Sequence, residues 1–216
     1  MKFKYKDLAI FLEKKLKEKD FIIISIDGPG GSGKSFFTDS LCRHLSNSQI
    51  IHFDDFYFEK NNENHNNLEI GSSFDWSRLE REVLTPLRKG SITFYQKYDW
   101  LKDEVSGKYE VKPEGIILIE GIYSGRKEIR DYYDLNIWVE ADYDLRLKRG
   151  IDRDGEDMKD KWVDEWMPKE NEYISSEFHN TCENADIIIC GETNNMSKYD
   201  CLNIVKTKID FITKTS

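Results

Sequence analysis

Proline and cysteine are scarce in this chain, four of each in 216 residues. Cys42, Cys182, Cys190 and Cys201 form no C-x-x-C pair, and no histidine stands at zinc-finger spacing, so neither a disulfide scaffold nor a structural zinc is expected. Long apolar runs are absent as well. The longest, Phe21 to Ile26, is interrupted by Ser25 and falls far short of the about 20 residues a membrane span requires. The start of the chain is too charged for a signal peptide, which leaves no membrane partner and a cytoplasmic location as the expectation. Positive charge is in deficit: 32 Lys plus Arg against 41 Asp plus Glu give a net charge of -9, which repels a polyanion and argues against nucleic acid as a partner. No repeat recurs at a fixed period.

What is present suits an ordinary globular core, with 38% hydrophobic and 13% aromatic residues. At roughly 150 residues per domain, the length predicts one domain over 1–216 with room for an insertion. Leu8, Phe11, Leu12 and Leu16 predict an amphipathic helix over 5–19. Short apolar runs at Phe21–Ile26, Ile50–Phe53, Ile116–Ile119, Leu135–Val139 and Ile187–Ile189 alternate with helical patterns. That alternation predicts a three-layer α/β/α fold around a mostly parallel five-stranded sheet. Helices are expected after the glycine cluster, with Phe37, Leu41 and Leu45 inward, and after a Ser77-Arg-Leu-Glu80 capping box, burying Leu79, Val83, Leu84 and Leu87. A last helix is expected from about Ser197, aligning Leu202, Val205, Ile209 and Ile212. The Asn-rich stretch Asn61 to Asn67 reads as a loop. Residues 90–113 read as a β-hairpin insertion, with Ile92–Tyr95 and Tyr109–Val111 joined through Ser106-Gly107. Residues 142–178 read as a helical lid.

Gly28-Pro-Gly-Gly-Ser-Gly-Lys34-Ser35 fills every position of G-x-x-x-x-G-K-[ST], between a predicted buried strand and an amphipathic helix, in the 20–60 region. Gly28, Gly30, Gly31, Ser32 and Gly33 would let backbone N–H groups surround phosphate oxygens, Lys34 would neutralise the β and γ phosphates, and Ser35 would offer its hydroxyl to Mg²⁺. The expected cofactors are therefore ATP and Mg²⁺. Glu120 ends an apolar strand where a second acid near the metal is needed. Asp54 and Asp55 end another; one of them could accept the proton of an alcohol while the other serves as a cap. Asp54 joins Ser35 and Glu120 in the candidate metal set. Arg146, Arg149 and Arg153 share one helix face, suited either to clamping a transferring phosphoryl group or to pairing with Asp152, Asp154 and Glu156 in solvent. Trp162 and Trp166, one turn apart, read as helix packing. Thr207-Lys-Ile-Asp210 matches a guanine-reading [NT]-K-x-D pattern by letters, but inside the expected last helix it could not reach the phosphate loop. A switch that binds ATP without transferring it would need neither Asp54 nor the arginines.

Taken together these motifs resemble the uridine kinase-like branch of the P-loop kinases, from about Phe21 to Gly191. The resemblance implies transfer of a γ-phosphate to a primary hydroxyl of a small molecule, with the 5′-hydroxyl of uridine or cytidine as the leading acceptor. By the same resemblance Asp54 in Asp54-Asp55-Phe56-Tyr57 is the base, with Tyr57 at the substrate. Phe74-Asp75 is similar to an element touching the ribose, and Tyr98-Asp99-Trp100 to one on the nucleoside side. Glu120-Gly121 follows the acidic strand, Lys34, Arg149 and Arg153 act on the transferred group, and Arg146 binds ATP. Two departures stand out: Asp103 lies near the position where that family carries a base-recognising histidine, and Gly155-Glu-Asp-Met158 replaces the arginine-rich continuation of the lid. Another nucleoside, a vitamin precursor, a sugar or an antibiotic therefore remains an alternative acceptor. A homo-oligomer is compatible with all of this.

Overall fold

The computed structural model describes residues 2–59, 69–192 and 201–209. Its central strands are almost purely apolar because helices cover both faces of the sheet. Strand β1 (Lys2–Lys4) leads into helix α1 (Tyr5–Leu16), then β2 (Phe21–Asp27), α2 (Lys34–Cys42) and β3 (Ser48–His52). A composite helix α3 follows in three contiguous segments, Trp76–Leu79, Glu80–Leu84 and Thr85–Arg88, and the hairpin β4 (Thr93–Asp99) and β5 (Glu104–Val111) comes next. After β6 (Gly115–Glu120) and β7 (Leu135–Glu140) come α4 (Tyr143–Asp154) and a second composite helix α5, made of Lys159–Lys161, Trp162–Trp166 and Met167–Ser175. Short α6 (Thr181–Asn184), β8 (Ile187–Cys190) and β9 (Cys201–Thr207) complete the order.

The sheet runs β1-β9-β8-β7-β2-β6-β3, and the five expected strands are its parallel core. Alternation along β2 sends Ile22, Ile24 and Ile26 to the face covered by α1 and α2, with Leu8, Leu12, Phe37 and Leu41 packed there. Ile23 faces the other way, among Ile117, Ile119 and the α3 residues Leu79, Val83, Leu84 and Leu87. Connections leave β2 for β3 and β6 on one side and return to β7 on the other. The carboxyl end of β2 is therefore the switch point at which open α/β sheets bind ligands.

Three expectations are corrected. The final helix is strand β9, antiparallel to β8 and to β1, which the sequence reading missed. Leu202 and Ile204 are buried while Val205 is exposed, a period of two that a helix would not give. Thr207 pairs with Ile187, which puts the guanine-like motif at the sheet edge opposite the phosphate loop; Ile212 and Asp210 lie outside the described residues. Ser106 and Gly107 are inside β5, and the hairpin turns instead at residues 100–103, with Asp103 in the left-handed region at φ 55°. The cap of α3 is Asp75, whose carboxylate accepts from the Arg78 N–H at 2.9 Å, and Glu80 accepts from the Tyr132 hydroxyl. The Asn-rich stretch lies outside the described residues.

Both composite helices contain one widened turn, Glu80–Leu84 and Trp162–Trp166, and each stands just before a proline, Pro86 and Pro168. Proline has no N–H to donate and its ring crowds the carbonyl four residues back, and a widened turn relieves both. In α5 the buried positions consequently run Trp162, Met167, Glu170 and Tyr173.

Candidate active site

The loop between β2 and α2 owes its shape to glycine. Gly31 and Gly33 sit at φ 73° and 98°, and a Cβ on Gly31 would lie 2.5 Å from the Arg146 carbonyl oxygen. Gly33 is the N-cap of α2, so the helix start points its free amides into the cradle. Lys34 is buried and donates from Nζ to the Pro29 carbonyl at 2.9 Å, folded over the loop.

Strand register places the acids beside this loop. Ile26, Glu120 and His52 are neighbours across β2, β6 and β3. Glu120 is buried, with Oε1 accepting from Ser35 Oγ at 3.2 Å and Oε2 2.9 Å from His52 Nδ1. Burial pushes the Glu120 carboxyl up, but the His52 hydrogen bond, the Lys34 charge and the Ser35 hydroxyl outweigh it and hold the group below the ordinary value. The same hydrogen bond to Glu120 raises His52. Asp54 and Asp55 sit on a 3₁₀ turn, Phe53–Phe56, directly after β3. Asp54 is exposed to solvent, yet protein atoms crowd round its carboxyl. That crowding and the Glu120 charge raise its carboxyl, while Lys34 and His52 oppose the rise. Asp55 is engaged elsewhere: Lys97 Nζ and the Tyr95 hydroxyl hold it, each at 3.1 Å, and so dock the hairpin. Asp54 is the member of the pair that faces Lys34 and Glu120.

Tyr57, three residues beyond Asp54, belongs to an aromatic cluster. Tyr57 packs on Phe74 (4.9 Å between ring centroids), Tyr98 (5.4 Å) and exposed Trp100 (4.6 Å). Tyr98 donates to Asp103 at 2.6 Å. Asp75 is tied to the acid-bearing turn through its N–H, which donates to the Phe56 carbonyl at 2.7 Å, and it borders a cleft of about 380 Å³ with Trp76, Ser77, Arg81 and Arg126. Asp75→Ala should lower stability by about 1 kcal/mol through the lost cap and also raise the acceptor KM. Asp75→Asn, which can still cap, should raise KM alone; melting curves beside steady-state kinetics separate the two effects.

Arg146, Arg149 and Arg153 lie along α4, and each meets a different partner. Arg149 donates to the carbonyls of Gly31 (3.2 Å) and Gly191 (2.9 Å), pinning the loop from outside. Arg146 is buried and stands 3.7 Å from Glu170 of α5. Arg153 pairs with Asp154, as the solvated reading expected, while its charge still reaches Asp54 and Glu170. Trp162 does pack within the lid, against Gly150, and it also lies over Gly30 of the phosphate loop, with Trp166 edge-on at 5.1 Å.

Sequence reasoning missed three residues here: His52, Glu170 and Asp27. The Asp27 carboxylate is buried at the end of β2 and accepts from the N–H of Gly28 (2.6 Å), the N–H of Gly125 (2.9 Å) and the Tyr173 hydroxyl (2.6 Å). Burial raises it from 3.8 to about 6, against those hydrogen bonds and the Lys34 charge. A carboxyl raised by the fold contributes stability at low pH that is lost as pH climbs through its folded value. Removing the hydroxyl that favours the ionised form should raise it further. Tyr173→Phe also takes the acceptor from the buried Thr181 hydroxyl (2.9 Å), a loss at every pH, so it should cost about 1 kcal/mol at about pH 5 and about 1–2 kcal/mol more at about pH 8, and urea unfolding at both values checks this.

The donor set fits the implied ligands. Ser32 Oγ is buried in the loop with no hydrogen-bond partner, an unmet polar atom that a phosphate oxygen would satisfy. Among the described residues no three metal-binding side chains cluster, but Mg²⁺ in such sites takes one or two protein oxygens and completes its shell with phosphate and water. Ser35 Oγ and Glu120 Oε1 supply that pair.

The Phosphoribulokinase / Uridine kinase family model matches residues 23–196. Uridine kinases of Macrococcus caseolyticus and Staphylococcus aureus are 29% and 28% identical over 204 residues, covering 87% of this chain and 95% and 94% of theirs. A solved chain described as a possible uridine kinase from Bacillus stearothermophilus shares the fold at TM-score 0.59 and 21% identity, over 84% of this chain and 96% of its own. The family model spans the phosphate loop, both acid-bearing strand ends and α4, and this chain belongs to the Phosphoribulokinase / Uridine kinase family.

Proposed function

We propose that this kinase transfers the γ-phosphoryl group of ATP to a primary hydroxyl, with the 5′-hydroxyl of uridine or cytidine as the leading acceptor. The observation that carries the reading is Asp54, whose carboxyl feels the charge of Lys34 in the phosphate loop and which stands three residues before Tyr57, itself packed on Phe74, Tyr98 and Trp100. A planar acceptor packed on those rings would direct its hydroxyl toward Asp54. Loop amides and Lys34 would hold the donor phosphates, and Arg149 and Arg153 would draw over the group in transit. Ser35 and Glu120, with Asp54 in the same charge network, would hold Mg²⁺, whose chemistry when bound is to neutralise phosphate charge.

In the transfer the acceptor oxygen forms its bond to the γ-phosphorus, and the bond to the β–γ bridging oxygen breaks. ADP leaves with that electron pair, and Asp54 takes the hydroxyl proton as the new bond forms. Asp103 in place of a histidine favours acceptors that present a hydrogen-bond donor there, since an ionised carboxylate only accepts. A coupled ATP-consumption screen over nucleosides, sugars and vitamin precursors tests the reading. Turnover with a pyrimidine nucleoside supports it; a sugar or vitamin precursor as the sole acceptor replaces the nucleoside, and ATP binding with no acceptor at all defeats it.

A further inference from the structure

Glu170 is a carboxylate in an unusual place. It sits on α5, buried, and its Oε1 accepts at 3.0 Å from the N–H of Gly30, one of the amides of the phosphate loop. Around it are the cations that the proposed donor would need. Lys34, Arg146 and Arg153 all act on its charge, and Arg146 Nη1 stands 3.7 Å from Oε2, an ion pair too long to be a hydrogen bond. Two polar atoms are left over: Glu170 Oε2 and Arg146 Nε are both buried with no hydrogen-bond partner. A buried carboxylate with one oxygen unsatisfied is costly, and its cost is offset here only by groups that suit a phosphate better. The loop has no room to share. A Cβ on Gly30 would lie 2.7 Å from Glu170 Oε1 and 2.9 Å from the Trp162 ring, so lid and loop are in contact at this point.

We propose that Glu170 is an internal anion that occupies the phosphate loop, and that the terminal phosphate of the nucleotide must displace it, lifting α5 from Gly30. The inference rests on the reading of the loop as a nucleotide site but not on the identity of the acceptor. Without nucleotide, the carboxylate engages the Gly30 N–H and draws on the charge of Arg146 and Lys34, keeping the lid down. With a triphosphate bound, those donors transfer to phosphate oxygens and the Glu170 side chain moves toward solvent. A diphosphate, one phosphate shorter, leaves it in place.

The test is calorimetric binding of a non-hydrolysable ATP analogue and of ADP, each with Mg²⁺, to the full chain. Glu170→Gln removes the charge, and Glu170→Asp keeps it but is one methylene too short to reach Gly30. Displacement predicts that both variants bind the analogue about tenfold more tightly, the equivalent of one modest charge-assisted hydrogen bond, with ADP affinity within about twofold of the parent. Tightening in Glu170→Gln alone would mean a general field effect and overturn the proposal, as would equal tightening of ADP or no change in either variant. In the unsubstituted chain, tryptophan fluorescence should shift with the analogue and not with ADP, because Trp162 rests on Gly30. An identical response to both nucleotides overturns the proposal even if neither variant folds. A chain that binds no nucleotide overturns the loop reading and this inference with it, whereas binding without transfer overturns only the kinase reading.

Discussion

Asp54→Asn is expected to lower kcat by about 10²–10⁴-fold, the range for loss of a general base, while the affinity for ATP stays within about twofold. Asparagine keeps the size of the side chain, and the charges acting on Asp54 are of both signs, Lys34 and His52 opposing Glu120 and Asp55. What the substitution removes is the capacity to take a proton from an alcohol. If the group served chiefly to hold the nucleotide, binding and turnover would decline together. Initial rates at saturating acceptor beside calorimetric ATP titration decide between these outcomes, and a matching loss in both removes Asp54 from the role of base.

The second large effect is structural. Gly28 opens the phosphate loop at φ 144°, and a Cβ there would overlap the Val139 carbonyl oxygen on the neighbouring strand β7. Neither partner has freedom to give: one is sheet backbone and the other is the turn itself. Gly28→Ala is expected to cost more than about 4 kcal/mol, enough to leave little folded protein. Gly90→Ala provides the comparison. Its φ of 72° is also positive but falls in the left-handed region that alanine can enter, and nothing lies within 4 Å of the added atom, so only backbone strain of about 1 kcal/mol remains. Denaturant midpoints of the two variants should differ widely. Similar midpoints would mean that β7 yields at Val139 and that the loop is softer than its contacts imply.

The parallel core was legible because a strand buried on both faces leaves an uninterrupted apolar run, as in Ile116–Ile119, which suits few alternatives. Strand β9 was not, because Leu202, Val205 and Ile209 also fit a helical stripe; only the burial of Ile204 and exposure of Val205 distinguish the two periods. Asp54 and Glu120 were legible as candidates because each ends such a run at the sheet edge. His52, Asp27 and Glu170 were not, since their partners lie 68, 146 and 140 residues away in the chain and only the folded topology brings them together. Nor could sequence choose between Asp54 and Asp55. That choice depends on Lys97 and Tyr95, which arrive from the hairpin to claim Asp55.

The widened turn at Trp162–Trp166 acts as a spacer of one residue. Five residues there cover about the arc that four cover in an ordinary helix; were the same residues wound as an ordinary helix, everything downstream would swing by about 100° around the axis. Glu170 and Tyr173 would then point past the phosphate loop, though not one of their own atoms had been altered. The aim of α5 is thus encoded in a match between residue count and winding rather than in side-chain chemistry, and a relative one residue shorter at this point could hold the same aim with an unbroken ordinary helix.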